Sequence, residues 1–155
     1  MRLAEPIPLP TEAQTEALAA RLAPRLAPGD TVLLSGPVGA GKSAFARALI
    51  RARLGDPTTE VPSPTFTLVQ TYGEGPQAIW HADLYRLLHP DEVAELGLLV
   101  AMEEAICLIE WPDRLGPLAP TQALSLDLAP WGEDGRQATF SGPSTWASRL
   151  EDLDV

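Results

Sequence analysis

Thr31-Val-Leu-Leu-Ser-Gly-Pro-Val-Gly-Ala-Gly-Lys-Ser43 is the stretch that decides the fold. Val32, Leu33 and Leu34 form a short apolar run that stops at Gly36, the pattern of a buried strand. Residues 36–43 fit the phosphate-loop spacing G-x-x-x-x-G-K-[ST], and residues 44–54 then place apolar side chains at helical intervals. A loop between strand and helix is the context this motif needs. Gly36, Gly39 and Gly41 let the backbone curl so that successive N–H groups face one point, and the helix N-terminus adds its partial positive charge. Pro37, Val38, Ala40 and Ala44 complete the candidate cradle. Lys42 is placed to reach the outer phosphates, and the Ser43 hydroxyl to ligate Mg²⁺. The bland alternative is a glycine-rich turn with a solvated lysine. Against it, Lys42 is the only lysine in a chain whose other ten basic residues are arginines.

The chain has 155 residues, the size of one domain with a central sheet covered on both faces. Its net charge of −10 weighs against non-specific nucleic-acid binding, which needs basic surface, so any action on RNA is expected to run through a partner or a local patch. A single cysteine, Cys107, leaves no internal disulfide and reads as a buried thiol. No apolar run approaches membrane-spanning length and the N-terminus carries no apolar signal core, so the expected compartment is the cytoplasm.

Outward from the loop, Thr11 reads as the N-cap of a first helix striped by Leu18, Leu22 and Leu26, and residues 28–30 lead from it into the loop strand. Residues 66–72 and 77–83 read as an antiparallel hairpin around a glycine turn. On its second strand His81 and Asp83 share one face, with Trp80, Ala82 and Leu84 on the other. Residues 90–97 read as a short helix and residues 106–110 as a buried strand. A turn and a proline-rich linker follow. Alternating strands at 124–129 and 136–141 and a final helix opening at Gly142 complete the chain. The expected architecture is a single α/β domain spanning 1–155, with a central mixed sheet flanked by helices.

Four apolar residues followed by Glu110 make an acidic strand end of the kind that holds Mg²⁺ beside a phosphate loop; the alternative is a strand-ending surface acid. Asp83 is a candidate either to ligate the metal or to orient an attacking water. His81 reads equally as a functional group or as a hydrogen-bonded structural histidine. Thr65 lies in a proline-stiffened segment where a γ-phosphate sensor is expected, and neighbouring Ser63 reads as a turn hydroxyl. Trp111 packs either near the nucleotide or in the structure at large.

Taken together, the phosphate loop, Ser63-Pro-Thr-Phe-Thr-Leu-Val-Gln-Thr-Tyr72, His81-Ala-Asp-Leu-Tyr-Arg86, Glu95-Leu-Gly-Leu98 and Ile109-Glu-Trp-Pro112 come in an order that resembles the bacterial TsaE family, formerly YjeE. The likeness runs from Thr11 to the Gly135-Arg136 turn. It implies a small Mg-ATP-binding ATPase with weak intrinsic hydrolysis, supporting threonylcarbamoyladenosine modification of tRNA by docking on the TsaB–TsaD heterodimer. By matching position it implies that Lys42 binds phosphate, that Ser43 and Glu110 bind Mg²⁺ and that Asp83 serves hydrolysis. It places Thr11 near the adenine and Arg136 at the nucleotide. Ser43 stands where the family usually has threonine, and Leu99-Val-Ala-Met102 interrupts a stretch that is commonly acidic. Two other readings remain beside the ATPase: a nucleotide-gated binding module, and a small-molecule kinase, which lacks an arginine-rich lid segment here.

Overall fold

A computed structural model describes residues 1–64 and 68–153. The apolar run beginning at Thr31 forms β2 (Thr31–Ser35), with Val32 and Leu34 fully buried on one face of the sheet and Leu33 turned to the other. Strand β5 (Ile106–Glu110) pairs parallel to one side of it, and β6 (Leu124–Trp131) parallel to the other. Strand β4 (Ile79–Asp83) adds in parallel to β5. Antiparallel neighbours close both edges: β3 (Val69–Tyr72) on β4, and β7 (Gly135–Ser141) on β6 followed by β1 (Ile7–Leu9) on β7. The mixed sheet runs β1-β7-β6-β2-β5-β4-β3. Parallel strands at the centre are buried on both faces, which is why β2 and β5 read as continuous apolar runs.

Helices α1 (Glu12–Leu22) and α2 (Lys42–Leu54) cover one face, where Leu18, Leu22, Phe45 and Leu49 pack on Val32, Leu34, Ile106 and Leu108. The two short helices α3 (Glu92–Glu95) and α4 (Leu98–Glu104) cover the other, over Ala82, Cys107 and Ile109. The two α-helical starts differ in a telling way. Thr11 caps α1 by accepting from the Gln14 N–H, and Glu12 sits in its first turn. Helix α2 starts at Gly41 with no side-chain cap and no acid in its own first turn. Its other end closes on Gly55, in the left-handed conformation, with arginines in the last turn.

Most predicted elements stand where the pattern placed them, including the hairpin, whose residues 66 and 67 lie outside the described residues. Besides the unpredicted edge strand β1, three segments differ. The expected final helix is a pair of 3₁₀ turns, Ser144–Trp146 and Ser148–Leu150, fixed by the buried Trp146, whose indole donates to Gln122 O at 2.9 Å. The stretch read as a turn and proline-rich linker winds into 3₁₀ structure at Pro112–Leu118 and buries Leu115. Beyond the predicted short helix, Gly97 turns left-handed and starts α4 through Leu99-Val-Ala-Met102. Among the described residues no helix is long and apolar enough to cross a membrane.

Candidate functional site

Gly36 leaves β2 where no other residue fits. Its φ is +141°, and a Cβ there would stand 2.2 Å from the Leu128 carbonyl oxygen of β6. The loop then returns through left-handed Gly39 and Gly41 into α2. Ala40 is buried in the core and anchors the loop from beneath rather than lining the cavity. Arg136 of β7 reaches across and donates from Nη2 to Gly39 O at 2.8 Å, while its buried Nε meets no partner among the described residues.

Lys42 is 5% exposed. Its ammonium donates to Gly36 O and, at 3.3 Å, to Pro37 O, and it lies 3.9 Å from the centroid of the Trp111 ring. Burial lowers its pKa from the usual 10.5, against the opposing pull of Glu110, Asp83 and Asp113. Trp111 takes a left-handed backbone (φ 58°) at the end of β5, which swings its indole over Lys42 and against Tyr85, with ring centroids 5.0 Å apart.

The acids come from neighbouring strands. Asp83 and Glu110 are register partners across β4 and β5, so both project to the α2 side, and both are almost fully buried. Ser43 Oγ, in the first turn of α2, lies 3.0 and 3.2 Å from the two oxygens of Glu110. His81 Nε2 lies 2.6 Å from Glu110 Oε2. Asp83 Oδ1 accepts from the Tyr85 N–H at 3.0 Å.

These groups surround a cavity of about 650 Å³. Thr11, Val38, Gly39, Gly41, Ala44 and Trp111 line it, together with Lys42, Ser43, Asp83, Glu110 and Arg136, so nearly every sequence-predicted site residue is gathered in one place. Gly36 and Pro37 take part through the carbonyls that hold Lys42. Thr65 lies outside the described residues, and Ser63, read as a turn hydroxyl, joins the lining. Sequence reasoning missed Glu12, Thr15, Tyr85 and Asp134, which also face the cavity. Tyr85 stood inside a quoted motif without a role. Asp134 sits on the β6–β7 turn, whose position over the loop depends on long-range pairing.

The donor set suits a nucleotide with Mg²⁺. Among the described residues no group of three or more His, Cys, Asp or Glu is arranged to hold a metal unaided. Mg²⁺ bound with phosphates asks for only one or two protein oxygens, and Ser43 Oγ and Glu110 provide an adjacent pair. Arg136 in the cavity lining and the uncapped start of α2 offer N–H donors to an anion.

Strand, glycine loop, lysine-started helix and buried acidic strand end define the class: an α/β protein of the phosphate-loop NTPase-like type. Within that class, residues 9–138 match the family model described as "Threonylcarbamoyl adenosine biosynthesis protein TsaE". The chain is 41% identical to the tRNA threonylcarbamoyladenosine biosynthesis protein TsaE of Rickettsia bellii over 70% of its own length and 75% of that protein. It is 36% identical to the Bacillus subtilis TsaE over 74% and 70%. The crystal structure of Bacillus subtilis YdiB superposes with a TM-score of 0.76 at 28% identity, covering 96% of this chain and 92% of that one. The chain belongs to the TsaE family.

Proposed function

We propose that this chain binds ATP as its Mg²⁺ complex in the 650 Å³ cavity and hydrolyses it to ADP and phosphate in support of tRNA N6-threonylcarbamoyladenosine modification, acting with the TsaB–TsaD pair. The observation that carries the reading is the approach of Ser43 Oγ to Glu110 at the head of the glycine loop, 3.0 Å apart across α2 and β5. Each residue then has a task. The first-turn N–H groups of α2 and the loop amides bind phosphate oxygens, and Lys42 exchanges the carbonyls of Gly36 and Pro37 for them. Ser43 and Glu110 would hold Mg²⁺, which would supply positive charge beside the phosphates. Asp83, its carboxylate fixed by the Tyr85 N–H, orients the attacking water and accepts its proton. Thr11, which caps α1 and lines the cavity, meets the base and sugar. The net charge of −10 supports contact with tRNA through the protein partner rather than directly.

Titration of Mg-ATP into the wild type and Lys42→Ala tests the reading. Loss of a charged donor from buried phosphates is expected to weaken binding about a hundredfold or more. An unchanged dissociation constant would remove nucleotide binding from this loop.

One observation favours a second reading, in which nucleotide state sets partner affinity and hydrolysis resets it. Arg47 and Arg51 of α2 donate to Val61 O and Thr59 O at 3.3 and 2.9 Å, tying the loop helix to the segment that brings Ser63 to the cavity. Partner affinity measured with ATP, ADP and a non-hydrolysable analogue separates the two.

A further inference from the structure

We propose that His81 is a positioning residue for the metal-side carboxylate: its Nε2–H pins Glu110 in the rotamer that faces Ser43. The inference rests on the assignment of Glu110 and Ser43 as the Mg²⁺-holding pair. His81 lies on β4 opposite Leu108, two residues before Asp83 and on the same face, and is 1% exposed against 2% for Glu110. A carboxylate that holds Mg²⁺ has no proton to give, so in that state the hydrogen in the 2.6 Å contact belongs to the imidazole. The terminal torsion of a glutamate is broad and roughly two-fold, so a carboxylate held by Ser43 alone is free to rock about that torsion. Ser43 Oγ reaches both oxygens, at 3.0 and 3.2 Å, and holding Oε2 from β4 as well stops the carboxylate turning about that torsion. That is the condition for a hard cation that tolerates little distortion of its ligands.

Packing alone does not account for a histidine here. Of its neighbours on this face, Ile79, Ile106 and Leu108 belong to the apolar core, and Gln70 is its register partner on β3. The imidazole instead leaves Nδ1 buried with no partner among the described residues. An unmatched buried polar atom is a destabilising feature. What the imidazole supplies in return is the hydrogen bond to Glu110.

The test titrates Mg²⁺ at fixed ATP, reading nucleotide binding by calorimetry rather than turnover. His81→Leu removes the donor, His81→Gln keeps an N–H at similar reach, and Glu110→Gln serves as reference. His81→Leu is expected to raise the Mg²⁺ requirement about 10–100-fold, as loss of partners behind a metal ligand does, with Mg²⁺-free ATP affinity little changed. His81→Gln is expected to stay within a few-fold of the wild type. If Glu110→Gln raises the requirement and His81→Leu does not, the inference is overturned and the metal site stands. If Glu110→Gln changes nothing, the metal assignment fails and this inference with it. Equal loss in both His81 variants assigns the residue to packing and overturns the inference. Should His81→Leu not fold, nitrogen-15 spectra of the wild type decide: the His81 Nε2 resonance must move when Mg²⁺ is added to the ATP complex, and a stationary resonance overturns it.

Discussion

Gly36→Ala and Gly39→Ala make the same chemical change three residues apart in one loop, and the structure assigns them different costs. At Gly36 the added Cβ meets Leu128 O at 2.2 Å, where real Cβ atoms essentially never come within 3.0 Å. The obstacle is backbone of β6, paired with β7 on one side and β2 on the other, so it has nowhere to move. The gap must open by about 0.8 Å, the difference between those two distances. A φ of +141° adds strain for any side chain. Backbone strain of about 1–3 kcal/mol and overpacking of about 1–3 kcal/mol put the cost near 4 kcal/mol. At Gly39 a Cβ meets nothing within 4 Å, and only the left-handed φ of +82° must be borne, at about 1–2 kcal/mol. Urea unfolding of both variants, followed by circular dichroism, is the assay. Gly36→Ala should lose roughly two to three times the stability lost by Gly39→Ala. Equal midpoints would refute the claim that β6 fixes the start of the loop.

Other outcomes follow from the same geometry. Because burial holds the Lys42 pKa below 10.5, ATP affinity should fall with rising pH before an ordinary lysine deprotonates. Bound phosphate favours the charged amine, so calorimetry in buffers of different ionisation enthalpy should show proton uptake on the alkaline side. Ser43→Thr should leave the Mg²⁺ dependence of ATP binding nearly unchanged, since either hydroxyl offers the proposed ligand oxygen. Ser43→Ala should weaken it, and equal behaviour of the two variants would argue against metal ligation by Oγ.

Local signals made half of this architecture readable. The β2–loop–α2 unit is one contiguous stretch, and its glycines, lysine and helical period each report on neighbours a few residues away. The face shared by His81 and Asp83 followed from strand alternation alone, and β4 obeys it. What stayed hidden depends on contacts distant in sequence. Strand β1 carries Pro8, which argues against a strand; it is tolerated because β1 lies at the sheet edge. Helix α4 starts on a left-handed glycine that reads as a stop. The Trp146 plug is set by a carbonyl 24 residues away, so no local pattern separated 3₁₀ turns from a helix. In the site, acid and loop were legible as separate motifs. The His81–Glu110 contact spans 29 residues, and the Arg136 brace on Gly39 spans 97, so neither is a feature of any local window.

Single-turnover ATP hydrolysis with TsaB–TsaD present, comparing the wild type with Asp83→Asn, tests the central claim most directly. The substitution keeps the shape of a buried side chain whose oxygen accepts from Tyr85 N–H, and removes the charge proposed to take the water's proton. The account predicts Mg-ATP affinity within a few-fold of wild type and partner-stimulated turnover lower by about 100-fold or more. Hydrolysis by Asp83→Asn at the wild-type rate would contradict it.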